Sequence, residues 1–288
     1  MTTSLIVTEA VSLTPTKAPQ LPAAPVAYDR GYSDTLTNIL RQYFNTLDNY
    51  TGQLKIGALN TLALPQGAFF QDGVTTTTAT ISNSVTTIPV VSTANFISPG
   101  TILIESELIS YTGKTSTSFT GCTRGVFGSS AASHNTIGTY VSEAQAALAP
   151  VPLFMSETTS SNGVALDATD KSKIRFETAG YYNIQFSVQL LSFDNAVDQV
   201  TLWFSKNGTA IPYSAGIGTI PGRISATKPA TAVISWNLIV DVNANDYIQL
   251  YFASDSTKTL ATTYPPGASP VHPISPSVIL TATFTSAL

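Results

Sequence analysis

The stretch that decides the fold is "FETAGYYNIQFSVQL", Phe176–Leu190. After a turn at Gly180, apolar and polar side chains alternate at successive positions. The apolar set is Tyr182, Ile184, Phe186, Val188 and Leu190, and the polar set is Asn183, Gln185, Ser187 and Gln189. Because successive side chains of a strand point to opposite faces, this alternation predicts a strand with one buried and one solvated face.

More strands follow towards the C-terminus. "VTLWFSKNGTAIPYS" predicts a hairpin, because Asn207-Gly208 supplies the positive φ values of a type I′ turn. "AVISWNLIVDVNANDYIQLYFAS" predicts two strands around a turn at 243–246, and "PSVILTATFTSAL" predicts a last one with Val278, Leu280, Ala282 and Phe284 on one face. Many short antiparallel strands without helices indicate a sandwich, with the jelly roll as the favoured form, over residues 146–288.

The same segment resembles a known family. The order of "FETAGYYNIQFSVQL", "LWFSKNGTAIP", "ANDYIQLYFAS" and a final apolar strand is similar to the tumour-necrosis-factor and complement-like jelly roll. The resemblance implies a homotrimeric head domain that binds partners through its rim loops. Independently, a solvated strand face of Tyr and Gln, together with aromatic residues expected to be exposed at Tyr181, Tyr251 and Phe252, favours symmetric association.

The middle of the chain, residues 81–145, predicts a small β-module. Strand-sized runs such as "GTILIES", "ELISYTG" and "GTYVSE" are separated by turn residues. The stretch "TGKTSTSFTGCTRGVFGSSAASH", with the runs before it, resembles a repeat of bacteriophage virion proteins. The resemblance implies a structural insert of tails and fibres without enzymatic activity.

The same module contains the residues that could suggest catalysis, namely Glu105, Glu107, Cys122, Arg124 and His134. Two acids two positions apart on one strand would face the same side, and such a pair usually solvates an exposed face. We expect Cys122 to be a small buried thiol, since no base or orienting acid stands at a recognisable spacing. Neither His134 nor His272 has metal-ligand spacing. We therefore predict no catalytic, metal or cofactor site.

One helix is predicted, at 33–52, between an extended arm (1–32) and a linker (53–80). Ser33 and Asp34 are candidate N-caps, and Gly52 is a natural stop. A 4-3-4-3 spacing indicates an oligomerisation or docking seam formed by Leu36, Leu40, Tyr43, Leu47 and Tyr50. The same pattern is typical of a generic amphipathic helix that packs against a core. For the arm the sequence leaves two alternatives open, an extended segment bound along a partner and a disordered tail.

The N-terminal stretch "LPAAPVAYDRGYSDTLTNILRQYFNTLDNY" supplies a third resemblance. It is similar to the N-terminal segment of structural proteins in phages of marine and cyanobacterial hosts. The resemblance implies that the arm and helix attach the chain to other virion proteins.

Composition narrows the functional classes. Of 288 residues only 10% are charged and the net charge is −4, which leaves no basic patch for nucleic acid. No run approaches the ~18 apolar residues of a membrane span. The sequence therefore predicts a mainly β protein with a short N-terminal helix, a small β-module and a C-terminal sandwich.

Three functions compete on this basis. The favoured one is a structural virion protein, a trimeric fibre, appendage or capsid-decoration protein that is not an enzyme. The second is a glycan-binding module, in which Trp203, Tyr213 and Tyr264 would stack on sugar rings of a host surface. The third, a glycan-degrading tailspike enzyme, is disfavoured because the acids are sparse and scattered.

Overall fold

The computed structural model describes residues 19–23, 25–53, 64–268 and 270–288, with the backbone alone for 48–53. The chain divides into two compact units, Met1–Leu64 and Pro65–Leu288. Most of the predicted arm and residues 54–63 of the predicted linker lie outside the described residues. None of the described residues forms a helix with enough length and apolarity to cross a membrane.

The first unit contains the predicted helix, α1 (Arg30–Gln53), which begins three residues earlier than the sequence indicated. Asp29 is its N-cap instead of Ser33 or Asp34, because the Asp29 carboxylate accepts the Gly31 amide at 2.7 Å and the Asp29 carbonyl accepts the Ser33 amide at 3.1 Å. Gly52 does not stop the helix, which continues to Gln53.

The second unit is built from strands. In its first half these are β1 (Gln66–Gln71), β2 (Val74–Thr76), β3 (Thr87–Pro89), β4 (Gly100–Ile104), β5 (Glu107–Tyr111), β6 (Gly113–Lys114), β7 (Ser118–Thr120) and β8 (Tyr140–Ala146). In its second half they are β9 (Val151–Pro152), β10 (Glu157–Asn162), β11 (Val164–Leu166), β12 (Ile174–Phe176), β13 (Gly180–Ser192), β14 (Asp198–Lys206), β15 (Thr209–Ala210), β16 (Gly216–Ile220), β17 (Ala230–Val242), β18 (Tyr247–Ser254), β19 (Thr259–Thr262), β20 (Gly267–Ala268), β21 (Val271–His272) and β22 (Val278–Ser286).

The strands pair into two main sheets. The long sheet has the order β10-β1-β22-β13-β19-β8-β4-β5, with β17 beside β13 and β2 beside β8. The short sheet has the order β11-β12-β18-β14-β15, with β16 beside β14 and β9 beside β18. Two small sheets, β20-β21 and β3-β7-β6, complete the described unit. The mainly β, antiparallel sandwich predicted from the sequence is confirmed.

The main core lies between the two sheets and follows the predicted alternation. The apolar set of β13 is buried together with Leu202 and Phe204 of β14 and Leu250 and Phe252 of β18. The expectation that Phe252 is exposed is therefore wrong. In β18 the period-two alternation turns Phe252 inward and leaves Tyr251 half-buried on the other face. The turn at Asn207-Gly208 has the predicted positive φ values, +52° and +82°.

The middle segment has its own core, but it shares the long sheet with the sandwich. Its core contains Ile88, Ile102, Ile109 and Phe119. A third apolar cluster joins Leu103, Leu108 and Ala144 to Leu191, Phe193 and Leu260 of the sandwich. The boundary predicted near residue 145 therefore lies inside β8, a strand that pairs both with β4 and with β19.

Residues 66–76 also differ from the predicted linker. They form β1 and β2 because Phe69 enters the main core, and the Gln71 carbonyl accepts hydrogen bonds from the Ser277 amide and the Thr263 hydroxyl. The sandwich therefore includes a strand from far upstream of residue 146.

Candidate functional site

A buried ion network holds the candidate catalytic residues of the middle segment. We call Glu105, Glu107, Arg124 and His134 the Glu107 cluster. The Glu107 side chain is 1% exposed and receives the Arg124 guanidinium bidentately, Nε to Oε1 at 2.8 Å and Nη2 to Oε2 at 2.6 Å. Backbone amides of Gly125 and Ala132 donate to the same carboxylate at 3.0 and 3.1 Å. Burial opposes ionisation, but these donors and His134 hold the pKa of Glu107 down at about 2.

His134 lies between two carboxylates. Its Nδ1 is 2.9 Å from Oε2 of Glu105, and its Nε2 is 2.8 Å from Oε2 of Glu107. A neutral imidazole has one N–H, so it could donate to only one of these oxygens, whereas the imidazolium donates to both. The hydrogen bond to Glu107 raises the pKa of His134 against the effect of burial, and Glu105 adds to the rise. The geometry therefore favours the charged form.

The sequence predicted that Glu105 and Glu107 share one face of a strand, and this prediction is wrong. Glu105 lies in the tight turn between β4 and β5 with φ of +53°, and its side chain is 59% exposed, whereas Glu107 opens β5 and is buried. The expectation that both acids solvate an exposed face is wrong for Glu107. The turn and the remote residues Arg124 and His134 decide its environment.

The Glu107 cluster is suited to fastening a loop. Each oxygen of Glu107 is engaged by donors, and Arg124 also donates to the carbonyls of Ser82 and Ala132. Cys122 is buried as predicted, and burial raises its pKa to about 11, so the thiol stays protonated at neutral pH. The cluster thereby holds the loop 122–134 against the β4–β5 hairpin. The absence of catalytic activity remains a prediction.

Metal and small-molecule sites have little support within the described ranges. No group of three or more His, Cys, Asp or Glu side chains there could hold a metal ion. A shallow pocket of about 360 Å³ is lined by Tyr264, His272, Pro273, Ile274 and Ser275. Its lining includes no Asp, Glu, Lys or Arg, and the Nδ1 of the exposed His272 lies 2.8 Å from the Pro273 carbonyl oxygen.

The three residues predicted to contact glycans lie in different environments. Trp203 stacks on Tyr251 across β14 and β18, with ring centroids 5.6 Å apart and planes 18° apart, on the solvent side of the short sheet. Tyr213 is fully exposed with φ of +63° in the loop between β15 and β16. Tyr264 packs against the third apolar cluster, and its buried hydroxyl has no partner. The sequence missed Tyr251 as the companion of Trp203, although cross-strand register brings the two rings together.

A second surface is the solvent side of β13, β17 and β22, which we call the uncharged face. Its residues are Tyr181, Asn183, Gln185, Ser187 and Gln189 on β13, Thr231, Val233, Ser235, Asn237, Ile239 and Asp241 on β17, and Ile279, Thr281 and Thr283 on β22. Only one of them is charged, Asp241, and Lys206 Nζ pairs with it at 2.8 Å. Val233 and Ile239 are 58% and 61% exposed.

The predicted helical seam is also partly accessible. Leu36, Leu40, Tyr43 and Leu47 are half-buried on α1, and Phe44 beside them is 56% exposed. Tyr50 lies outside the residues whose side chains are described.

Comparisons with known proteins add no assignment. A scan against protein-family models finds no match, and a search of curated proteins finds no significant relative.

Proposed function

We propose that this protein is a structural component of a bacteriophage virion, a homotrimeric fibre, appendage or capsid-decoration protein. The arm and helix α1 dock it onto other virion proteins, and the sandwich, a jelly-roll head, faces outward, where it can contact the host surface. It acts by binding and assembly, without catalysis, cofactor or nucleic acid.

The observation that carries the proposal is the uncharged face. Burying charged side chains in an interface costs free energy unless each charge is paired, whereas Asn, Gln, Ser and Thr can exchange hydrogen bonds with a partner. Here the only charge already has its partner in Lys206. Val233 and Ile239 on β17 add apolar area at 58% and 61% exposure. Such a face supports symmetric association, as the resemblance to trimeric jelly rolls implies.

Helix α1 supports the docking part of the proposal. Its half-buried stripe, Leu36, Leu40, Tyr43 and Leu47, and the exposed Phe44 offer apolar area to a partner helix or groove. The N-terminal resemblance implies the same role.

The oligomeric state tests the trimer directly. Light scattering on a sizing column should give trimers for the full chain and for a chain that begins at Pro65, the start of the second compact unit. Replacing Val233 and Ile239 together by Lys should yield monomers, whereas Val271→Lys, at an apolar residue 87% exposed on β21, should leave the trimer intact. A monomeric wild-type chain, or a trimer that survives the double substitution, would refute the interface.

The virion assignment needs its own test. Antibodies raised against Pro65–Leu288 should label intact particles produced from the phage genome that encodes the chain, as seen by immunogold electron microscopy. Particles that remain unlabelled while the protein is found only in the infected cell would contradict the proposal.

The stacked pair Trp203–Tyr251 favours glycan binding as a second function, compatible with the first. The two rings stack on each other on an outer sheet face, so each ring keeps its other face for contact with a sugar ring. Host polysaccharide fragments should quench tryptophan fluorescence in wild type but not in Tyr251→Ser, whereas Tyr140→Ser, at a tyrosine 43% exposed outside the uncharged face, serves as the control. A flat response over the whole panel would exclude this function.

A further inference from the structure

Strand β8 is the place where the middle segment joins the sandwich. One edge of β8 pairs with β4. The other edge changes partner half-way along: β2 pairs with residues 140–142, and β19 pairs with residues 144–146. Glu143 lies at the change. Its amide donates to the Gly73 carbonyl at 2.7 Å, and its carbonyl accepts the Thr263 amide at 3.0 Å.

The Glu143 side chain is completely buried and has no hydrogen-bond partner on either carboxyl oxygen. Gln71, on β1, is also buried, and its Nε2 has no partner, while its Oε1 accepts the Gly73 amide at 3.1 Å. Native structures rarely leave buried polar atoms unpaired, so this carboxyl group calls for a physical explanation.

The packing around Glu143 is tight. A Cβ atom built on Gly73 would lie 2.8 Å from the Glu143 Cβ and 2.7 Å from the Asn95 carbonyl oxygen, so only glycine fits there. The Glu143 Cβ therefore packs directly against the backbone of Gly73.

The ionisable groups around this position do not neutralise Glu143. Tyr111 of β5 is buried, and its pKa is raised by burial and further by the charge of Glu143. Asp72 and Glu157 both accept from the Asn95 side-chain amide, at 3.1 and 2.8 Å. These three groups are neutral or negative. Lys114, the cation bound to the loop that contains Asn95, donates to the carbonyls of Thr93 and Phe96, so none of the four groups is paired with Glu143.

A carboxylate that is buried without donors or a cation is strongly disfavoured relative to the protonated acid. Burial raises the pKa of Glu143 to about 8. At neutral pH the closed strand therefore contains a protonated carboxylic acid, although an exposed glutamate would be ionised.

We propose that β8 is a proton-operated latch between the middle segment and the sandwich, closed while Glu143 carries its proton, and that opening of its pairing with β2 and β19 releases that proton to water. The latch follows from the packing of Glu143 and does not depend on the proposed function.

The direction of the effect follows from proton linkage. The open form ionises near pH 4.5, the ordinary value for glutamate, whereas the closed form keeps its proton up to pH about 8. Between these values opening releases one proton, so the opening equilibrium constant rises about tenfold per pH unit. Below this window and above it the constant does not change with pH through Glu143. The joint therefore tightens as the surroundings become acidic.

Hydrogen exchange on the full chain tests the latch. After correction for the intrinsic exchange rate, the opening constants of the Glu143 and Thr263 amides should rise about tenfold per pH unit from pH 5 to 8. Glu143→Gln, which removes the ionisation but keeps the shape, should abolish the slope. Glu177→Gln, at an exposed glutamate, should retain it. A slope that persists in Glu143→Gln, or no slope in wild type, would overturn the proposal.

A second measurement serves if Glu143→Gln does not fold. The carboxyl carbon-13 shifts of the glutamates in the wild-type chain should include one that titrates far above pH 4.5 in the native state and at the ordinary value in urea. If every glutamate of the native chain titrates near or below its ordinary value, the latch does not exist.

Discussion

The Glu107 cluster supports a quantitative prediction about two acids that contact the same histidine. Glu107→Gln removes a carboxylate that is 1% exposed, leaves the Arg124 guanidinium, 7% exposed, without its counter-charge, and leaves the His134 ring with Glu105 as its one carboxylate partner. Removing one member of a buried ion pair costs about 3–5 kcal/mol of unfolding free energy. Glu105→Gln removes the other partner of His134, but that side chain is 59% exposed, so water and salt screen the pair and the loss is about 0–1 kcal/mol.

Two assays measure the difference at pH 5.5, where wild-type Glu107 is ionised. Urea unfolding followed by far-UV circular dichroism gives the global loss. Hydrogen exchange of the Ser110 and Thr123 amides, which bond reciprocally at 3.1 and 2.8 Å, reports local opening of the loop that the cluster fastens. Because the pKa of Glu107 is lowered from 4.5 to about 2, its stabilisation is complete above pH 4.5 and is lost as the pH falls towards 2. Equal losses for the two variants would refute the reasoning.

Further predictions concern other parts of the chain. Because the pKa of His134 is raised, its stabilisation is complete below pH 6.5 and is lost as the pH rises through the folded pKa, so His134→Gln should flatten the fall in Ser110 protection above pH 6.5. Phe252→Ala should cost about 3–5 kcal/mol in urea unfolding and Tyr251→Ala clearly less, and equal costs would contradict their assignment to opposite faces. Cys122 should resist thiol reagents in the native chain and react in urea, and fast native modification would show that it is accessible. Asp29→Ala should increase hydrogen exchange at the start of α1 by about 2- to 30-fold, with no change in β13.

The features that the sequence predicted well are local ones. The alternation from Tyr182 to Leu190 specifies which side of β13 is buried, and Asn207-Gly208 specifies the hairpin, because in both cases neighbouring residues determine the geometry. The apolar spacing of helix α1 is also a local feature and was predicted. Its N-cap was not, because Asp29 lies before the apolar stripe and its hydrogen bond to the Gly31 amide is seen only in the structure.

The features that the sequence could not predict depend on remote partners. Glu107 is buried because Arg124 and His134 approach it from later in the chain, and no local pattern encodes that approach. Glu143 lies in "YVSEAQA", where a glutamate is typical of a solvated strand face. In the structure the strand is enclosed by β4, β2 and β19, which come from distant parts of the chain. Phe69 lies in the predicted linker, at the start of a stretch rich in Thr and Ser, whereas its ring enters the main core.

The position of β1 in the long sheet has a consequence for biosynthesis. β1 lies between β10 and β22, with Gln71 paired to Val278, so one of the first strands of the unit needs the last one as its neighbour. The two segments are separated by almost the whole second unit, and pairings between such distant segments form slowly. While the ribosome is still translating, β1 has β10 on one side and an unpaired edge on the other. The long sheet is therefore completed only after β22 has been synthesised and has left the ribosome, and until then nascent chains carry an open edge that can pair wrongly at high expression.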